Sequence, residues 1–150
     1  MTEPTLDLLV LGWGYSARHG AAALEGDLRS LVTTARDPAK ADRLAASGLD
    51  VIRLGDRQAD TRLAAAVARA SHILVSAGPS EAGDPFLARL EPAIRAAAAA
   101  GTLRWIGYLS TVGVYGNADG GFVDETTVPE PASDRTRWRI AAEGAWQALG

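Results

Sequence analysis

Apolar residues along this chain fall in short unbroken runs, such as Leu8-Leu9-Val10-Leu11 and Ile73-Leu74-Val75, separated by longer stretches in which apolar positions recur at helical spacing. The runs predict strands at 6–11, 30–35, 50–54, 72–76 and 104–110. The stretches between them predict helices from Ser16, at 38–47, at 61–70 and at 85–100, and a last helix at 134–148. A strand apolar at every position is buried on both faces, so helices must cover both sides of a parallel sheet. With right-handed crossovers the alternation gives an α/β, Rossmann-type, doubly wound sheet of about five strands in the order 3-2-1-4-5, and residues 1–150 read as one domain. Residues 113–133 are rich in Gly, Pro, Asp and Thr without periodicity and read as a long functional loop. In the last helix, Trp138, Ala142, Ala145 and Trp146 form a stripe that suits packing or a dimer face.

The first strand runs into Gly12-Trp13-Gly14-Tyr15-Ser16-Ala17, a G-x-G-x-x-A pattern between a buried strand and a helix. Gly12 suits a tight turn, Gly14 lets a pyrophosphate approach the backbone, and Ala17 lets helix and sheet pack closely. The amides of Tyr15, Ser16 and Ala17 then point at the anion from the positive end of the helix dipole. A plain strand-to-helix turn also selects for glycine; the position after the first strand of this alternation favours nucleotide binding.

The second strand ends Thr33-Thr34-Ala35-Arg36-Asp37-Pro38, with the threonines expected at the ribose. Arg36 there suits a 2′-phosphate and points to NADP, while Asp37 before a proline suits a helix cap; Asp37 as a ribose acceptor keeps NAD open. Asp56, after the third strand, is placed to meet an adenine amino group or to serve as a turn residue. Ser76, Ala77 and Gly78 end the fourth strand at the carboxyl edge of the sheet, where small residues let a dinucleotide lie flat.

Composition narrows the alternatives. The chain is 47% hydrophobic, enough for a core, and its 15 basic against 18 acidic residues are dispersed, which disfavours nucleic-acid binding. Without cysteine, and with only two histidines, no metal site is expected. No run is long and apolar enough for a membrane span, and a cytoplasmic protein is expected. Fourteen of the fifteen basic residues are arginine, Lys40 being the exception, so a single arginine carries less information than usual.

Four stretches together resemble the short-chain dehydrogenase/reductase superfamily, in particular its extended and atypical branch of NAD(P)-dependent nucleotide-sugar epimerases and dehydratases. Gly14-Tyr15-Ser16-Ala17-Arg18-His19 is similar to that family's Gly-Tyr-x-Gly-x-His, with Ala17 for the last glycine. Asp56 matches its adenine-contacting Asp, and Ser76-Ala77-Gly78 its small-residue stretch. The most specific is Leu109-Ser110-Thr111-Val112-Gly113-Val114-Tyr115-Gly116, followed by Val123-Asp124-Glu125 and Pro129-Glu130-Pro131.

The resemblance implies that Thr111, beside Ser110, stands for the catalytic Ser/Thr that hydrogen-bonds the reacting substrate oxygen. It also implies a Tyr-x-x-x-K pair in the last helix, where the register instead gives Arg135 and Arg139. An arginine keeps its proton and cannot replace the tyrosine as an acid, although Arg139 can donate to a ribose or phosphate; Tyr115 is the substitute acid within reach of the motif. The family continues past this helix into a substrate domain, so the chain reads as the cofactor-binding part, naturally short or a fragment. Two functions follow: an atypical oxidoreductase moving a hydride between NADP(H) and a sugar nucleotide or other small carbonyl substrate, or a catalytically silent NADP(H)-binding sensor or scaffold module. The family's usual dimer pairs helices 85–100 and 134–148, so a homodimer is expected.

Overall fold

The computed structural model describes residues 5–149. Its strands are β1 (Leu6–Leu11), β2 (Leu28–Ala35), β3 (Asp50–Arg53), β4 (His72–Val75) and β5 (Trp105–Tyr108). They form one parallel sheet in the order β3-β2-β1-β4-β5, as the alternation predicts. The helices are α1 (Tyr15–Ala23), α2 (Pro38–Ala46), α3 (Ala59–Arg69), α4 (Leu87–Ala99) and α5 (Asp134–Gln147).

The unbroken apolar runs are split by the pleat. Leu9, Leu11, Ile73 and Val75 pack with Leu63, Val67, Leu90, Ile94, Ala142 and Trp146 of α3, α4 and α5, whereas Leu8 and Val10 pack with Ala17 of α1. Side chains on a strand alternate between faces, so a continuous run is what a sheet buried on both sides needs. Within the stripe on α5, Ala142 and Trp146 are buried in the core, which is the packing role.

Boundaries differ from the sequence reading where side chains cap the chain. Asp84 Oδ1 accepts from the amides of Phe86 (2.8 Å) and Leu87 (2.9 Å), so α4 begins at Leu87 and not at residue 85. Asp37 Oδ1 accepts from the Lys40 amide at 2.6 Å and caps α2 ahead of Pro38. The long loop is more ordered than its composition suggests: a 3₁₀ turn spans Val112–Tyr115, and Asp124 accepts from both Thr126 and Thr127. Those hydrogen bonds, the Thr126 hydroxyl first, hold the exposed Asp124 carboxyl below its ordinary pKa.

At the amino end of the sheet, Asp7 is buried but satisfied by Arg29 and by the Ser30 hydroxyl at 2.6 Å.

Candidate functional site

A cleft of about 360 Å³ opens at the carboxyl edge of the sheet between β1 and β4, where the strand order reverses. Gly12, Trp13 and Gly14 line it from one side, Ser76, Ala77 and Gly78 from another, and Thr34, Arg36, Asp37 and Lys40 close the end beside β2. Gly12 takes φ +93°, and a Cβ on it would lie 3.0 Å from the Ala77 amide nitrogen, so the turn is glycine for both conformation and space. Gly14 precedes the first turn of α1, whose first backbone bond runs from the Arg18 amide to the Gly14 carbonyl at 3.1 Å. The amides of Tyr15, Ser16 and Ala17, in the first turn of α1 after Gly14, therefore have no acceptor within the helix. Ala17 is fully buried against Leu8 and Val10, which fixes the helix close to the sheet.

The turn is braced from below. Thr33 and Thr34, expected at the ribose, are fully buried: Thr33 Oγ1 donates to the Val10 carbonyl (3.1 Å), and Thr34 Oγ1 accepts from the Gly12 amide (2.8 Å). Both hydroxyls are thus spent on the backbone of β1 and its turn. Thr34→Val leaves the partly buried Gly12 N–H without its partner; an expected loss of about 1 kcal/mol, read from denaturant unfolding, accompanies weaker nucleotide binding.

Asp56 does not join this cleft. The chain turns directly into α3, its carbonyl accepting from the Ala59 amide at 3.0 Å, and its side chain lies in a separate hollow with Arg53, Arg57 and Arg62. Leu54, two residues before it, lines the cleft.

The residues after β5 sit on the far side of β4. Thr111 Oγ1 accepts from the Gly113 amide at 3.3 Å, capping the 3₁₀ turn, and is exposed; Ser110 donates to Glu143 of α5; Tyr115 is half-buried within the turn. None of the three lines the cleft at Gly12. Arg139 connects the two regions: its Nη1 donates to the Leu109 carbonyl (2.9 Å) and the Tyr108 hydroxyl (3.3 Å), and its other Nη stands 2.7 Å from where a Gly78 Cβ would be. Arg135, in the register position of the family's tyrosine, is exposed and makes no ion pair among the described residues.

Tyr108 was not legible as a site residue. Burial pushes its hydroxyl above the ordinary tyrosine pKa, and Arg139 opposes the shift without cancelling it. The neutral form is thus favoured in the folded chain, and the stability this contributes is lost as pH rises from about 10 through the folded value. Thermal melts from about pH 9 to 11 should show that loss, and Tyr108→Phe should flatten it.

A solved structure of a conserved protein of unknown function from Silicibacter pomeroyi DSS is similar to this chain at 40% identity and TM-score 0.81, over 97% of this chain and 49% of that one. A putative epimerase from Burkholderia cenocepacia J2315 matches at 22% identity and TM-score 0.66, over 99% and 51%. The fold is that of the epimerase/dehydratase structures. UDP-glucuronic acid 4-epimerase from Bacillus cereus, in complex with UDP-glucuronic acid and NAD, shares the epimerase/dehydratase fold at 20% identity and TM-score 0.67, over 95% and 51%. The chain spans about half the length of these structures. No protein-family model and no curated protein matches the chain. The epimerase/dehydratase fold agrees with the motif resemblance. Among the described residues no helix is long and apolar enough to cross a membrane, and no group of side chains is arranged to hold a metal.

Proposed function

We propose that the chain binds a nicotinamide dinucleotide in the Gly12–Gly78 cleft and forms the cofactor-binding part of an NAD(P)-dependent, epimerase/dehydratase-like oxidoreductase of atypical short-chain type. One observation carries this reading: a glycine turn that leads into the N-terminus of α1 and a rim of small residues line one cleft at the switch point of the sheet. These groups fit a pyrophosphate with a flat base or ribose on either side. The nicotinamide, when bound, supplies the hydride acceptor or donor. Arg36, exposed at the end of β2, supports NADP over NAD, since Asp37 already spends one carboxylate oxygen on capping α2.

The chain's own residues then divide the work. The α1 amides hold the pyrophosphate. Arg139, held by Tyr108 and Leu109 against Gly78, donates to the ribose at the far end of the cleft. Thr111, with Ser110 beside it, orients the oxygen of a sugar-nucleotide or other carbonyl substrate, and Tyr115 is the candidate proton donor. Calorimetric titration of the purified chain with ADP, NAD+ and NADP+ tests the binding reading, and absence of binding by all three overturns it. Turnover of NADPH with carbonyl substrates, abolished by Thr111→Val, tests the catalytic one.

A second reading is a catalytically silent NADP(H)-responsive module. It is favoured by the exposed Arg135 at the tyrosine position, a group that cannot exchange a proton at ordinary pH. A partner or self-association whose affinity changes with NADP(H), without turnover, distinguishes it.

A further inference from the structure

β5 is an edge strand. It pairs with β4 alone, so among the described residues its outer side offers a row of backbone N–H and C=O groups with no strand beside them. Natural sheets blunt such an edge with charge or proline, and β5, Trp105-Ile106-Gly107-Tyr108, carries neither. Two hollows run along it between β5 and α5. One, of about 220 Å³, is lined by Leu103, Arg104, Ile106, Trp146 and Leu149, and the other, of about 360 Å³, by Ile106, Tyr108, Ser110, Glu143 and Trp146. Ile106, Trp146 and Gln147 belong to both, so the two hollows form one groove along the strand. None of its lining residues lines the Gly12 cleft.

The groove is oppositely charged at its two ends. Arg104, at the Leu149 end, is exposed, and Glu143, at the other end, accepts from the Ser110 hydroxyl; neither has an ion-pair partner among the described residues. A two-fold axis perpendicular to the sheet at Ile106 exchanges these ends. It lays β5 antiparallel to a copy of itself, sets Ile106 opposite Ile106, and brings Arg104 beside Tyr108 and Glu143 of the copy. On the other face of the strand Trp105 is 48% exposed, and its ring occupies the space that a side chain on Gly107 would take. In the same register Trp105 stands opposite Gly107 of the copy, the one position of β5 with no side chain to obstruct it.

We propose that β5 pairs with β5 of a second copy of this chain about that axis. The product is a ten-stranded sheet, five strands from each copy, with both α5 helices on one face and both Trp105 rings on the other. The occupant is a second copy because the edge is self-complementary: one operation satisfies the open backbone row, pairs the unpaired cation with the unpaired carboxylate twice over, and covers an exposed aromatic. This surface differs from the helix-on-helix pairing of residues 85–100 and 134–148, because it is made by the strand and by the side of α5 that faces it. It is also independent of the dinucleotide reading, since the Gly12 cleft stays open in the dimer.

The experiment is sedimentation equilibrium of the chain at low salt, for the unmodified protein, for Arg104→Glu, for Glu143→Arg and for an equal mixture of those two variants. The expected result is a monomer–dimer equilibrium. Each charge reversal places two like-charged pairs across the axis and should weaken it by about tenfold or more. In the mixture both pairs of the heterodimer are again of opposite sign, so association should return to that of the unmodified chain, an effect that damage to the fold cannot produce. Trp105→Lys, at an exposed position, should weaken association without touching either charge, and keeps the test decisive where a charge variant fails to fold. An unmodified chain that stays monomeric at the highest concentration measured overturns the proposal. A dimer that all three variants retain in full overturns the assignment to β5 and moves the contact to another surface. A dimer weakened by both charge reversals and not recovered by mixing overturns the two-fold register.

Discussion

Gly12→Val is expected to abolish nucleotide binding and to destabilise the chain. A β-branched residue at φ +93° is strained, by about 1–3 kcal/mol for a sparsely populated backbone region. Its Cβ would also press on the Ala77 backbone 3.0 Å away, which adds an overpacking cost of about 1–3 kcal/mol. Neither cost can be relieved locally. Ala77 donates its amide to the Leu11 carbonyl at 2.9 Å, and the Gly12 amide is held by Thr34. If the turn moves, the N-terminus of α1 moves with it, so affinity for ADP falls by about 100-fold or more even where the sheet survives. Calorimetry together with a thermal melt separates the two effects. A variant that still binds ADP normally would show that the turn is only structural.

Asp84→Ala is expected to be the most damaging single change away from the cleft. One carboxylate serves three donors: the amides of Phe86 and Leu87 at the start of α4, and the Trp146 indole of α5 at 2.9 Å. Trp146 is only 4% exposed, so truncation leaves a largely buried indole N–H unpaired as well as removing a helix cap. The cap is worth about 0.5–2 kcal/mol and the orphaned donor about 1–3 kcal/mol. A total loss of about 2–4 kcal/mol is expected, read from urea unfolding. Asp84→Asn should recover part of it, because the amide oxygen can still cap α4 while the remaining NH2 faces another donor at Trp146. An Asp84→Ala chain as stable as the original would remove this clamp from the account of how α5 is held.

That clamp bears on the site because α5 carries Arg139. The distance from Gly78 to Tyr108 and Leu109 is spanned by one guanidinium, and its position depends on where α5 lies on the sheet. A loosened α5 should therefore weaken dinucleotide binding before it unfolds the domain.

The strand order, the helix alternation and the glycine turn were legible in the sequence because each rests on local chemistry. Apolar runs define strands buried on both faces. Glycine marks the turn at Gly12, and Asp37-Pro38 announces the cap of α2. The small residues Ser76, Ala77 and Gly78 follow from their position at the end of β4. Lys40 carried a signal of composition only, the one lysine among fourteen arginines, and nothing in its neighbours' identity told of the Trp13 carbonyl twenty-seven residues away.

What only the tertiary structure decided is where side chains separated along the chain meet. Thr33, read as a ribose contact, turns its hydroxyl to the Val10 carbonyl and does not line the cleft, whereas Thr34 lines the cleft while accepting from the Gly12 amide. Asp56 reads as an adenine contact or a turn residue, and only the fold shows that its carbonyl accepts from the Ala59 amide at the entry to α3. The Asp84–Trp146 clamp, the span of Arg139 from Gly78 to Leu109 and the bond from Lys40 to the Trp13 carbonyl all join segments with no shared local pattern. Periodicity fixes which face a residue occupies, but the partner on that face is set by crossover geometry and packing, which emerge only once the sheet is wound.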